Sequence, residues 1–388
     1  MSTAKANESN GAGRFNFRHH YIDADPPGIY LGETAIADID ADGIPDFVVH
    51  QQYGNIYWYD FEAPDRWTRY LLGVQSPSDV GMIAMDVDGD GWIDIITGGA
   101  WYKNSRDPRG RLFEKIVFDP QLKAVHDIVA ADIDGDGKVE FLMMSDKCPL
   151  RWYRIPSDPR QPWPCREIGP SVHCGLSVGD LDGDGHLDVV RSNVWFENVL
   201  GDGTQWIEHP IGPCGGAPDG NFKSWQILAT YTAVRDINGD GKMDIVVADA
   251  EIPDARIAWM ENVDGAGLVW KRHELPHGDK DPRGAYHSLY VGDLDGDGDL
   301  DIFSCEQEGL AGGRFPRWFI WENTDGKGRF VEHVIFDARL GGHCAAVADM
   351  NGDGRLDICS KVWMPEKDNA NRGRMHVDYL ENLGGRAR

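Results

Sequence analysis

The sequence predicts an all-β fold: a seven-bladed β-propeller with four antiparallel strands per blade, the last blade closed by the N-terminal strand. Three observations lead there. The spacing Asp-x-[Asp/Asn]-x-Asp-Gly-x-x-[Asp/Glu] recurs seven times, starting at Asp38, Asp86, Asp132, Asp180, Asp236, Asp293 and Asp349. The starts lie 48, 46, 48, 56, 57 and 56 residues apart, a period typical of units that are small sheets unable to bury their faces alone. The seventh unit stops one strand short, and the N-terminus carries a segment that matches the missing strand.

The strands of one blade follow in order. An inner strand of small or alternating residues comes first (126–131, 287–292, 343–348), and the acidic loop follows it. Next comes a continuously apolar strand, as at 47–49 and 245–247, the pattern of a strand buried on both faces. The third strand is aromatic and often ends in Glu-Asn, as in Trp195-Phe196-Glu197-Asn198, Trp259-Met260-Glu261-Asn262 and Trp321-Glu322-Asn323. The fourth is amphipathic, as at 206–211, 270–275 and 330–335. The chain runs out at Tyr379-Leu380-Glu381-Asn382, a third strand, while residues 13–24 resemble the fourth strand at 328–338. Pairing the two ends closes the ring and removes an open sheet edge. The expected organisation is a flexible tail at 1–13 and one propeller domain at 14–388.

Loop positions 1, 3, 5 and 9 carry oxygen side chains, and position 6 is always Gly. The sets are Asp38, Asp40, Asp42 and Asp46; Asp86, Asp88, Asp90 and Asp94; Asp132, Asp134, Asp136 and Glu140; and Asp180, Asp182, Asp184 and Asp188. The remaining three are Asp236, Asn238, Asp240 and Asp244; Asp293, Asp295, Asp297 and Asp301; and Asp349, Asn351, Asp353 and Asp357. Alternate side chains turned inward around a tight glycine turn suit a hard cation, and a large, flexible oxygen set suits calcium better than magnesium. Two carboxylates about 5 Å apart repel by roughly 3 kcal/mol at an effective dielectric near 20, so an ion is expected, structurally, up to one per blade. Asn238 and Asn351 lower the charge of two loops, and Ala41 and Pro45 make the first loop the least regular.

Together with the aromatic strand leading into Asn-x-x-Gly-x-Gly (Asn198 to Gly203 and Asn323 to Gly328), these loops resemble the FG-GAP-like, or VCBS-type, repeat propellers. The resemblance covers residues 14–388 and implies the fold and the calcium loops. It is nearly silent on function, because that scaffold serves adhesion heads, lectin-like modules and sugar lyases alike. The literal Phe-Gly and Gly-Ala-Pro signature is not repeated along the chain, which weakens an integrin-like reading.

The chain has 388 residues and a formal charge of -26. The loops hold 26 of its 64 acidic residues, and the other 38 match the 38 Lys plus Arg. Away from the loops no net charge remains to attract nucleic acid or anionic lipid, and no apolar run is long enough to span a membrane. Seven Cys without regular spacing indicate neither a disulfide framework nor a zinc motif. Cys174, Cys305, Cys344 and Cys359 fall in apolar strands and are expected to be small buried thiols. Residues 1–13 have no apolar signal core, which favours the cytoplasm; secretion is the alternative if a leader was removed.

The chemistry is expected on the face opposite the acidic loops, where the longer connections gather and the inner strands begin. His126, His287 and His343 stand six residues before their loops and His173 seven, with Tyr231 at the corresponding stretch of the fifth repeat. These should converge on the axis, joined by Tyr286 and by Arg191 and Lys361 from second-strand ends, with Glu251 and Glu306 beside them. Histidine as base or metal ligand, tyrosine as acid and Arg or Lys as enolate partner make up a β-elimination set. The reading is a carbohydrate-active carbon–oxygen lyase or dehydratase acting on a uronate or keto-sugar in the central funnel. At the level of fold and site composition it is similar to the propeller domains of aldos-2-ulose dehydratase and of propeller-type polysaccharide lyases. Two histidines with a carboxylate could also hold a further divalent metal. The alternative is a non-catalytic calcium propeller that binds carbohydrate or protein through Trp225, Trp318 and Trp363.

Overall fold

The computed structural model describes residues 14–212, 229–252, 255–278, 283–309 and 316–385. The tail at 1–13, Cys214 and Trp225 lie outside them. The described residues form seven four-stranded antiparallel sheets. Six are built from consecutive strands; the fourth, for example, runs Leu176–Gly179, Asp188–Arg191, Val194–Asn198 and Trp206–Pro210. The seventh takes three strands from the C-terminal end (His343–Ala348, Asp357–Lys361, Val377–Asn382) and its outer strand, Phe17–Asp23, from the N-terminus. The closing register places Phe17 opposite Asn382 and His20 opposite Tyr379, as the resemblance of the two sequence segments requires. No helix among the described residues is long and apolar enough to cross a membrane.

The core lies between blades. Second strands such as Asp188–Arg191 and Asp244–Asp249 are buried along their whole length, because a neighbouring sheet covers each face. Leu142 and Trp152 of one blade thus pack against Val189 and Phe196 of the next, and Val190 and Trp195 against Val247 and Ala258.

The position-9 acid is a structural clamp. Asp188 accepts the Leu181 amide at 2.9 Å and the Asn198 amide at 2.9 Å, tying the loop entrance to the end of the third strand. Asp94, Asp244, Asp301 and Asp357 repeat this geometry. The Asn of Glu-Asn then crosses to the preceding blade: Asn198 Nδ2 donates to Ile133 O at 2.8 Å, Asn262 to Leu181 O at 2.8 Å and Asn323 to Ile237 O at 3.1 Å. Its side-chain oxygen accepts the amide of the second motif glycine, Gly203, at 3.0 Å. A β-carbon on Gly203 would meet Trp152 at 2.8 Å, and Trp152 Nε1 donates to that glycine's carbonyl at 3.0 Å. The Glu of the same pair faces a fourth-strand histidine, as in Glu197 with His209 at 2.7 Å and Glu261 with His273 at 2.6 Å.

Candidate functional site

The acidic loops and the axial histidines form two separate assemblies. In every loop the first carboxylate accepts the amide of the loop glycine at 2.8–3.0 Å. That turn gathers the other oxygens: Asp38, Asp40 and Asp42 offer oxygens within 4.8 Å of one another, as do Asp132, Asp134 and Asp136, and Asp180, Asp182 and Asp188. Burial pushes the position-9 acids up, Asp46 to about 8, Asp188 and Asp301 to about 7, and Glu140 and Asp357 to about 6, although backbone amides pull the other way. Asp132 Oδ1 and Glu140 Oε1 are buried without a hydrogen-bond partner among the described residues. This all-oxygen, charge-crowded donor set fits a hard cation. Tethered cations already face several loops: Arg109 pairs with Asp40, Lys103 with Asp88 and Asp90, Arg154 with Asp134, and Arg14 of the N-terminal segment with Asp295 and Asp297.

On the axis, inner strands of separate blades bring the four predicted imidazoles together. Ring centroids are 4.2 Å apart for His126 and His173, 6.5 Å for His126 and His287, and 3.8 Å, stacked, for His287 and His343. Three are sealed, at 1–3% exposure; the His173 side chain, at 38%, marks the solvent end. His126 Nδ1 lies 2.7 Å from Asp127 Oδ1, and Asp127 Oδ2 accepts the amides of Gly175 and Leu176 at 2.7 and 2.9 Å. Burial works against the Asp127 charge, yet His126 and these amides hold its carboxyl below the usual range. His173 Nδ1 lies 3.0 Å from Asp146, and its Nε2 faces Glu251 at 3.8 Å. Burial opposes its charge, but the two carboxylates outweigh burial and push His173 up to about 10. Desolvation instead lowers His287 and His343, with the neighbouring cationic groups adding to the effect at His343.

Tyr231 joins the cluster, its hydroxyl 3.3 Å from His287 Nδ1. Lys361 joins it too: fully buried, it reaches Leu31 O and lies 2.7 Å from His343 Nδ1. Trp363 stacks on His343 at 5.2 Å, with Tyr30 at 5.3 Å from Trp363.

Other predicted members lie elsewhere. Tyr286 is buried between blades against Phe319 and Trp321. Arg191 donates to Pro170 O at 2.8 Å and lies over the Phe196 ring. Glu306 is sealed in an ion pair with Arg317 at 3.1 Å. Trp318, expected to be exposed, is buried, with Nε1 donating to Gly341 O.

Three members were not singled out from sequence: Glu33, Asp127 and Cys344, each five residues before its loop. Glu33 is pushed up to about 7, by burial first and then by Asp127. A signal existed, since each adjoins the position at which other repeats carry histidine. Strict strand alternation would send these residues to the opposite face. Register shifts at Leu31/Thr34, Val125/Asp127 and His343/Ala346 break the alternation, and a bulge re-aims a side chain in this way.

No curated protein sequence matches the chain. Among solved structures, BBS1N in complex with ARL6DN, soaked with lead, superposes with a TM-score of 0.53 at 8% identity, over 92% of this chain and 94% of that one. The V. cholerae biofilm matrix protein Bap1 gives 0.48 at 12% identity, over 92% and 88%. The BBS1N likeness is one of fold. FG-GAP-like repeats match residues 38–97, 86–143, 236–304 and 310–360, more than half of the sequence, and with seven such blades in one ring the chain belongs to the FG-GAP-like repeat family.

Proposed function

We propose that this propeller is a carbohydrate-active carbon–oxygen lyase or dehydratase whose loops hold calcium as a structural ion. The observation that supports this best is the contrast between two touching imidazoles, His126 held by a carboxylate that is itself fixed by two amides, and His173 held charged by two others. A base and an acid side by side are what acid–base catalysis needs. On a uronate or keto-sugar entering at the His173 end, His126 Nε2 takes the proton next to the carbonyl, and Asp127 stabilises the imidazolium that forms. The β carbon–oxygen bond breaks as the double bond forms, and His173 gives its proton to the leaving oxygen. Proton transfer from His126 to His173, whose ring centroids lie 4.2 Å apart, restores both. Tyr30 and Trp363 offer aromatic faces for a sugar ring. Calcium in the loops would neutralise carboxylate repulsion between the first and second strands of each blade and take no part in the reaction.

The test is a panel of uronate glycans and keto-sugars, followed by the ultraviolet absorbance of the conjugated product. Turnover by the wild type, lost by a factor of at least ~100 in His126→Ala and His173→Ala with unchanged thermal unfolding, is the expected result. Saturable binding without turnover across the panel would select the non-catalytic binding propeller, a reading that the burial of three of the four imidazoles favours.

A further inference from the structure

Beneath the His126–His173 pair lies a second, softer donor set. One ring nitrogen of His287, one of His343 and the Cys344 sulfur lie within 4.8 Å of one another, and all three residues are buried. We propose that His287, His343 and Cys344 form a binding site for a late first-row transition ion of the zinc type.

Three features support it, and a fourth shows what the ion has to displace. Two imidazoles and a thiolate are donors for zinc, cobalt or copper and poor ones for calcium or magnesium, so the site is chemically distinct from the seven loops. His287 Nε2 lies 2.6 Å from Glu251 Oε1, so the metal would take Nδ1 in place of the Tyr231 hydroxyl that now faces it at 3.3 Å; a carboxylate behind the far nitrogen is the usual support of a metal-bound histidine. The Cys344 backbone is held in the left-handed region, at φ 53°, by its amide on His287 O at 2.9 Å and by Thr34 on its carbonyl. That conformation is unfavourable for a residue with a side chain and here sets the sulfur 3.0 Å from His343 Nδ1. Finally, Lys361 Nζ lies 2.7 Å from that same nitrogen, where it takes up the lone pair an ion would use. Metal binding displaces this amine, which keeps Leu31 O as a partner, and releases the Cys344 thiol proton to water. The sequence had suggested two histidines and a carboxylate; the structure puts the thiol in the ligand position and the carboxylate behind.

Cobalt(II), titrated into calcium-saturated full-length protein, tests the site without any sugar substrate, so its outcome is independent of the lyase reading. One equivalent should bind with a thiolate-to-cobalt charge-transfer band in the near ultraviolet and the visible bands of a four-coordinate ion, and zinc should displace it. Cys344→Ser should abolish the charge-transfer band, Glu251→Gln should weaken binding by roughly 10–100-fold, and Lys361→Met should tighten it. No charge-transfer band in the wild type, or a band that survives in folded Cys344→Ser, overturns the assignment.

Discussion

The two faces of the ring were built by opposite rules. On the loop face every blade repeats one device: a carboxylate on the loop glycine's amide, with a position-9 acid holding the loop entrance. At the axis the blades differ: Glu33, His126 with Asp127, His173, Tyr231, His287, and His343 with Cys344 follow one another around the funnel, sharing histidines in part but not their neighbours. Repetition is what a ring needs in order to stand, because each sheet must meet the next in the same way. A site needs groups that differ, since acid, base and ligand cannot be the same residue in the same environment. Function in this chain is therefore sought where the repeat is broken.

If the loop face and blade edges carry stability, damage there should unfold the ring, whereas equal damage at the axis should spare it. The largest effect is expected from removing residues 1–24. Phe15, Phe17 and Ile22 are buried between or within the closing blades, worth roughly 5–9 kcal/mol of burial together, and an open sheet edge would remain. Loss of the cooperative thermal transition, with aggregation on size exclusion, is the expected result; an unchanged melting curve would contradict ring closure.

Calcium removal should come next. At a free concentration about 100 times Kd, each filled loop adds roughly 2.7 kcal/mol, so chelation should lower the melting temperature by roughly 10 °C or more. The same shift should appear in His126→Ala and His173→Ala, whose changes lie on the other assembly. A chelator-insensitive melt would assign the acidic loops to bare turns.

How much could be read from the sequence follows the same division. The blade plan was legible because every element occurs several times, so the spacing of Asp, Gly and Glu-Asn could be compared within one chain. The ring-closing strand was legible for the same reason, from one matching segment. The axis was only half legible. The histidines fell at the predicted place, because position relative to the loop fixes where an inner strand starts. Asp127 and Cys344 did not, because bulges turn two adjacent residues toward the axis where alternation allows one. Tyr286 and Trp318 failed for another reason: aromatic residues near a blade's upper end were read as lining the mouth, whereas the gap between sheets takes them in.

A smaller effect separates the blade-to-blade tie from the loop itself. Asn198 donates to Ile133 O and Leu187 O and accepts from Gly203, all in a buried setting. Asn198→Ala removes these bonds and leaves partners unsatisfied, at a cost of roughly 2–4 kcal/mol, read as a lower denaturation midpoint. Calcium affinity of the fourth loop should change little, because Asp188 still receives the residue 198 backbone amide. A large loss of calcium with a small loss of stability would mean that the asparagine serves the loop and not the neighbouring blade.

The smallest effect tests whether all seven loops are one device. Position 4 takes the left-handed backbone in each, at φ 61° for Ala41 and 68–81° for Gly89, Gly135, Gly183, Gly239, Gly296 and Gly352. Only the first loop places a side chain there. The left-handed region costs an alanine roughly 1–2 kcal/mol, and the extra freedom of an unfolded glycine offsets about 0.5–1 of it. Ala41→Gly should therefore stabilise the protein by about 0.5–1 kcal/mol, and Gly183→Ala should cost a similar amount. Both are read from denaturation midpoints at saturating calcium, where the loops are compared in the same state. Should Ala41→Gly destabilise instead, the first loop departs from the other six in more than its sequence, and the uniformity of the loop face stops at six blades.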